Sequence, residues 1–115
     1  MADTTTTDMS FDLAGWAFAD ANEIEWQPMG EGVAMKMLAA ADGKVIALFK
    51  FEPGYIGGAH HHTEAEFTYV LEGDLISNGV AMRAGHAYGA QAGTDHEEFR
   101  TEGGTTLVSV FKLPG

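Results

Sequence analysis

The chain has 115 residues, enough for one domain with one core, and a hydrophobic content of 45% argues against disorder. Seventeen Asp and Glu against six Lys and Arg give a net charge of −11. That charge repels phosphate backbones and anionic membrane surfaces, so neither nucleic acid nor a membrane is expected as a partner. There is no cysteine, which excludes disulfides and thiolate chemistry; any metal must be held by nitrogen and oxygen.

No apolar run approaches the roughly 20 residues that span a bilayer. Residues 1–10, MADTTTTDMS, lack the charged and apolar regions of a secretory signal, so a cytoplasmic protein is expected. The same ten residues have little to bury and read as a disordered arm. Phe11, Leu13, Trp16 and Phe18 follow in a mixed pattern that fits either a short strand or a helical turn.

After Pro28 the pattern is β throughout. Val33, Met35 and Met37 alternate with Ala34 and Lys36, as in a half-buried strand. Asp42-Gly43 predicts a tight turn into a strand over 44–51, with Val45, Ala47, Phe49 and Phe51 on one face. A strand over 67–71 is expected to end at Glu72-Gly73-Asp74. Asn78-Gly79 predicts a type I′ hairpin between 75–77 and 80–83, and Glu102-Gly103-Gly104 turns the chain into a last strand over 105–113. Many short strands at even spacing, with no internal repeat, predict one all-β domain over 11–115, a sandwich or antiparallel β-barrel.

The five histidines, His60, His61, His62, His86 and His96, all lie within positions 60–96. On a strand, His60 and His62 project to one face while His61 points away. If residues 63–65 turn, Glu66 opens the next antiparallel strand and faces the two imidazoles; Glu64 is the rival carboxylate. Imidazole with carboxylate suits Fe, Mn, Ni, Co, Cu or Zn better than Ca or Mg. His86 is expected to be no ligand.

The segment Gly54, His60, His62, Glu66, Gly73 resembles the first cupin motif, Gly-x5-His-x-His-x3-Glu-x6-Gly, with every spacing kept. Gly85, Gly93 and His96 match the second motif, over 85–100, in which Gln91 replaces the usual proline and Arg100 the usual asparagine. The resemblance covers residues 33–113. It implies the cupin fold, an RmlC-like jelly roll of the double-stranded β-helix type, and adds His96 as fourth ligand to His60, His62 and Glu66.

The runs Glu25-Trp26-Gln27-Pro28, Phe67-Thr68-Tyr69-Val70-Leu71 and Gln91-Ala92-Gly93-Thr94-Asp95-His96 resemble one cupin branch. That branch holds acetylacetone dioxygenase and dihydroxyacetophenone dioxygenase-like proteins and the cupin half of a zinc-binding anti-sigma factor. The implied activity is a non-haem oxygenase acting on a small dicarbonyl or aromatic keto compound, with Fe(II) the favoured ion. The alternatives are a redox-neutral metal isomerase, lyase or hydrolase, and a non-catalytic ligand-binding or sensor module.

By parity, Met35, Met37, Phe49, Phe51, Thr68 and Val70 are expected to line the barrel. Arg100 shares parity with His96 and is a candidate neighbour of the site, a surface ion pair with Glu98 or Glu102 being its other expected role. Phe67, Tyr69 and Leu71 form an outer apolar face, for which a homodimer is expected.

Overall fold

The computed structural model describes residues 13–113; the expected N-terminal arm over 1–10, and Phe11, lie outside the described residues. The order is a 3-10 turn (Ala21–Glu23), then β1 (Gln27–Gly30), β2 (Val33–Ala41), β3 (Lys44–Phe51), β4 (Ile56–Gly57), β5 (His60–His61) and β6 (Glu66–Ser77). It continues with β7 (Val80–Arg83), β8 (Ala87–Ala90), β9 (Asp95–His96), β10 (Phe99–Arg100) and β11 (Thr105–Lys112). The all-β, antiparallel expectation is met.

Nine strands form one curled sheet in the order β1-β2-β3-β11-β6-β10-β4, with β7 and β8 also paired to β6; β5 and β9 form a separate two-stranded sheet. The segment between Leu13 and Trp26 settles as neither strand nor helix beyond the 3-10 turn. Asp20 caps that turn by accepting a bond from the Asn22 N–H at 2.9 Å.

The two expected hairpins are where their turn chemistry demands. Asp42 and Gly43 have φ of 52° and 78°, Asn78 and Gly79 of 48° and 79°, and each pair joins directly paired strands. Glu72-Gly73-Asp74 behaves differently: β6 does not end there but turns a corner and runs on to Ser77. Before the corner β6 pairs with β8 and β11; beyond it, with β7 and β10.

Gly73 makes this possible. Its φ is +89°, and a Cβ there would run into the Gly104 carbonyl. The neighbouring Asp74 carboxylate accepts from the Glu102 and Gly103 N–H groups at 3.0 and 2.8 Å, which holds its pKa below the usual range. A single bent strand thus carries the sheet round the corner and curls it.

Cross-strand register lays Phe51, Thr105 and Gly73 in one row, Phe49, Leu107 and Val70 in the next, then Ala47, Ser109, Thr68 and Tyr88. Val70, Leu75, Met82 and Leu107 form the buried core, with Phe49, Phe51, Tyr88 and Phe99 packed on it. Of the expected lining residues, Thr68 and Val70 are buried and Phe49 and Phe51 are inward. Met37 stands opposite Ala47 but beyond the end of the β1 pairing at Met35, and it is 43% exposed, a correction to its expected place in the lining. Phe67, Tyr69 and Leu71 lie exposed on the outer face.

Candidate metal centre

His60 and His96 face each other directly across the β5–β9 pair. His62 follows one residue beyond β5 and continues the ladder: its N–H donates to the Thr94 carbonyl at 2.8 Å, and Gly93 N–H donates to its carbonyl at 2.7 Å. His60 and His62 therefore converge, as alternation along a strand predicts, and His61 is turned away. Ring centroids lie 4.9 Å apart for His60–His62 and His60–His96, and 5.5 Å for His62–His96. One ring nitrogen from each falls within 4.8 Å of the others.

Hydrogen bonding fixes which nitrogens are free. The Thr94 hydroxyl donates to the Gln91 carbonyl at 2.7 Å, so towards His62 Nδ1, at 3.1 Å, it can only accept. His62 is therefore protonated on Nδ1 and presents the bare lone pair of Nε2 to the site. His96 places Nε2 2.8 Å from the Ser77 hydroxyl, leaving Nδ1 free. His62 Nε2 and His96 Nδ1 are both fully buried and have no hydrogen-bond partner. Orphaned buried nitrogens of this kind are costly unless something binds them, and a metal ion fits that need.

Burial, reinforced by repulsion from His60 and His62, lowers the His96 pKa from the ordinary 6.5 to about 4. At neutral pH its imidazole is uncharged and able to ligate.

Glu66 sits beside this group. Its Oε1 is 3.9 Å from His62 Nε2, and its Oε2 accepts from the Tyr88 hydroxyl at 3.4 Å. The expected direct pairing between the His60–His62 segment and the Glu66 strand is absent, because β5 takes β9 as partner and Glu66 comes from the curled sheet. Glu64 is exposed on the intervening bend and is not in the group formed by the three imidazoles.

His61 is exposed and bound to Asp95 through Nδ1 at 2.6 Å. His86 is exposed, its Nδ1 accepting from the Arg83 N–H at 3.0 Å. Arg100 pairs with Glu98 at 3.0 Å and Glu102 at 3.3 Å, outside the site. Its parity with His96 is lost because residues 97–98 break the strand, so Phe99 turns inward in its place.

His60, Glu66 and His96 open on a cavity of about 310 Å³. Phe49, Phe51, Tyr55, Phe99 and Phe111 wall it, and Phe51 stands 4.9 Å from both Tyr55 and Phe99. No Lys or Arg lines it among the described residues. Burial pushes the Tyr88 phenol, also in the lining, up to about 12, so it remains a donor. Tyr88, Phe99, Ser77 and Thr94 escape the sequence reading. Their only local signals are that Tyr88, Thr94 and Phe99 fall within the span of the second motif and that Ser77 precedes the Asn78-Gly79 turn.

The chain resembles several known proteins. The chain is 26% identical over 95 residues to the pectin degradation protein KdgF of Dickeya dadantii, covering 78% of this chain and 86% of that protein. KdgF from a Halomonas species superposes with a TM-score of 0.77 at 23% identity, covering 87% of this chain and 96% of that one. An acetylacetone dioxygenase from Acinetobacter johnsonii superposes with a TM-score of 0.72 at 14% identity, covering 96% and 80%. Both superpositions establish the shared cupin fold. The model of the ChrR cupin-like domain matches residues 15–114, and the chain belongs to that family.

Proposed function

We propose that the chain holds one divalent transition ion, Fe(II) in the first instance, on His60, His62 and His96, with Glu66 within reach as a fourth donor. The proposed activity is that of a non-haem oxygenase acting on a small dicarbonyl or aromatic keto compound. The observation that carries this reading is the meeting of three imidazoles, two with orphaned buried nitrogens, at the end of an apolar cavity. A redox-active ion bound there would supply a place for dioxygen and an enolisable substrate to meet, and a redox-inert ion a Lewis acid.

The remaining tasks fall to the chain's own side chains. Thr94 and Ser77 hold His62 and His96 in orientation. The aromatic wall excludes water and suits a flat, uncharged substrate; with no Lys or Arg in the lining, a substrate carboxylate would find no ion-pair partner there. Glu66 stands where it can take a proton from an acidic C–H or O–H group beside the imidazoles.

A second reading, a redox-neutral isomerase, lyase or hydrolase, rests on the donor set, since three imidazoles and a carboxylate suit Zn, Mn or Ni as well as Fe, and the relative at 26% identity is named for pectin degradation. Anaerobic loading with Fe(II), followed by oxygen-electrode measurements over a panel of 1,3-diketones and hydroxyacetophenones, separates the two. Uptake stoichiometric with substrate supports the oxygenase. A fully loaded protein that consumes no oxygen but turns over with Zn, Mn or Ni supports the redox-neutral enzyme.

We also propose a homodimer through the outer face that exposes Phe67, Tyr69 and Leu71. Sedimentation at micromolar concentration tests it, and a monomer there would remove it. No helix among the described residues is long and apolar enough to cross a membrane.

A further inference from the structure

We propose that Tyr88 decides whether Glu66 joins the three imidazoles, acting as a positioning residue that holds the carboxylate beside the site instead of on it. The inference rests on the metal-binding reading and deepens it, because the number of protein donors sets how many positions a substrate can take.

The carboxylate stands between the imidazoles, whose bare His62 Nε2 offers it no hydrogen, and the Tyr88 hydroxyl, which does. Oε1 lies 3.9 Å from His62 Nε2, while Oε2 accepts a hydrogen bond from the Tyr88 hydroxyl at 3.4 Å. The group of nitrogens within 4.8 Å of one another takes in His60, His62 and His96 but not Glu66.

Tyr88 is the fixed member of the pair. It stands in β8 directly opposite Thr68 of β6, and its ring meets the His96 ring edge-on, with centroids 5.9 Å apart. Its ring therefore cannot follow the carboxylate inward without disturbing His96. Glu66 is the mobile member, with three rotatable bonds and a side chain 23% exposed. A bound cation draws a neighbouring carboxylate towards itself, and the phenol hydrogen bond opposes that movement. Removing the hydroxyl frees Glu66 to ligate, and restoring it reopens a position on the ion.

Cobalt(II) titration followed by visible absorption tests this on four proteins: the parent, Tyr88→Phe, Glu66→Gln and the double variant. Phenylalanine keeps the ring against His96, and the apo melting curve checks that the fold is retained. Tyr88→Phe is expected to bind Co(II) roughly three- to ten-fold more tightly, the scale of one ordinary net hydrogen bond, as suits a contact of 3.4 Å. Its ligand-field bands should shift, and added azide should perturb them less than in the parent. In the Glu66→Gln background the same substitution should change neither affinity nor spectrum.

An unchanged affinity and spectrum in Tyr88→Phe would overturn the inference, as would an equal change in the Glu66→Gln background. Failure of all four proteins to bind Co(II) would instead overturn the metal reading on which it rests.

Discussion

His60 and His61 are consecutive residues on β5, and the partners they meet on β9 are consecutive as well, yet the two rows have opposite character. The His60↔His96 row faces the cavity, where His62 joins it and ring nitrogens go without hydrogen bonds. The His61↔Asp95 row faces solvent, where imidazole and carboxylate satisfy each other at 2.6 Å, both side chains more than half exposed. One residue of strand register separates an imidazole held ready for a ligand from one already satisfied. The lesson is that a histidine-rich tract carries little information until its parity and partners are known.

Metal affinity should break the symmetry of the tract most strongly. His62→Ala or His96→Ala is expected to lower affinity for Co(II) or Zn(II) by a hundred-fold or more, roughly the loss of one imidazole ligand. His61→Ala should leave it within about two-fold in the same competition titration. Equal damage from His61→Ala would mean that the strand register is wrong.

Next come the residues behind the inward row. Thr94→Val and Ser77→Ala each remove the group that orients a ligating imidazole, and each should cost roughly ten- to a hundred-fold in metal affinity with little change in the fold. Thermal melting of the apo variants alongside the titrations separates orientation from unfolding.

Acidity distinguishes the rows in the metal-free protein. The His96 pKa is depressed in the folded state, to about 4 from the ordinary 6.5, so the unfolded chain binds more protons between those values. Stability from this group is fully present above pH 6.5 and is lost as pH falls towards about 4. Denaturant midpoints over that range should decline in the parent and decline less in His96→Gln.

The smallest effect belongs to the outward row. Asp95→Asn breaks an exposed ion pair and should change stability by less than about 1 kcal/mol, with metal affinity unchanged.

What the sequence revealed was set by local physics. Two-residue periodicity placed His60 and His62 together and His61 apart, and the backbone demands of Asp42-Gly43 and Asn78-Gly79 placed two hairpins. Gly73 marked a special backbone position, but whether it ends a strand or bends one depends on the approach of Gly104, thirty-one positions away. The partnering of β5 with β9, the entry of Tyr88 from β8 and the inward turn of Phe99 in place of Arg100 are likewise long-range outcomes. Parity arguments carry no information across a break such as residues 97–98. The cavity's character followed the same division: Phe49 and Phe51 were visible from alternation along one strand, whereas Phe111, Tyr55 and Ser109 joined them only through the curl of the sheet.

The account rests on three inward imidazoles sharing one ion. X-ray absorption at the metal edge of the loaded protein, repeated on His61→Ala and His96→Ala, addresses this directly. The account predicts a shell with three imidazoles in the parent and in His61→Ala, and the loss of at least one in His96→Ala. A shell containing only oxygen donors, or one that His96→Ala leaves unchanged, would contradict it.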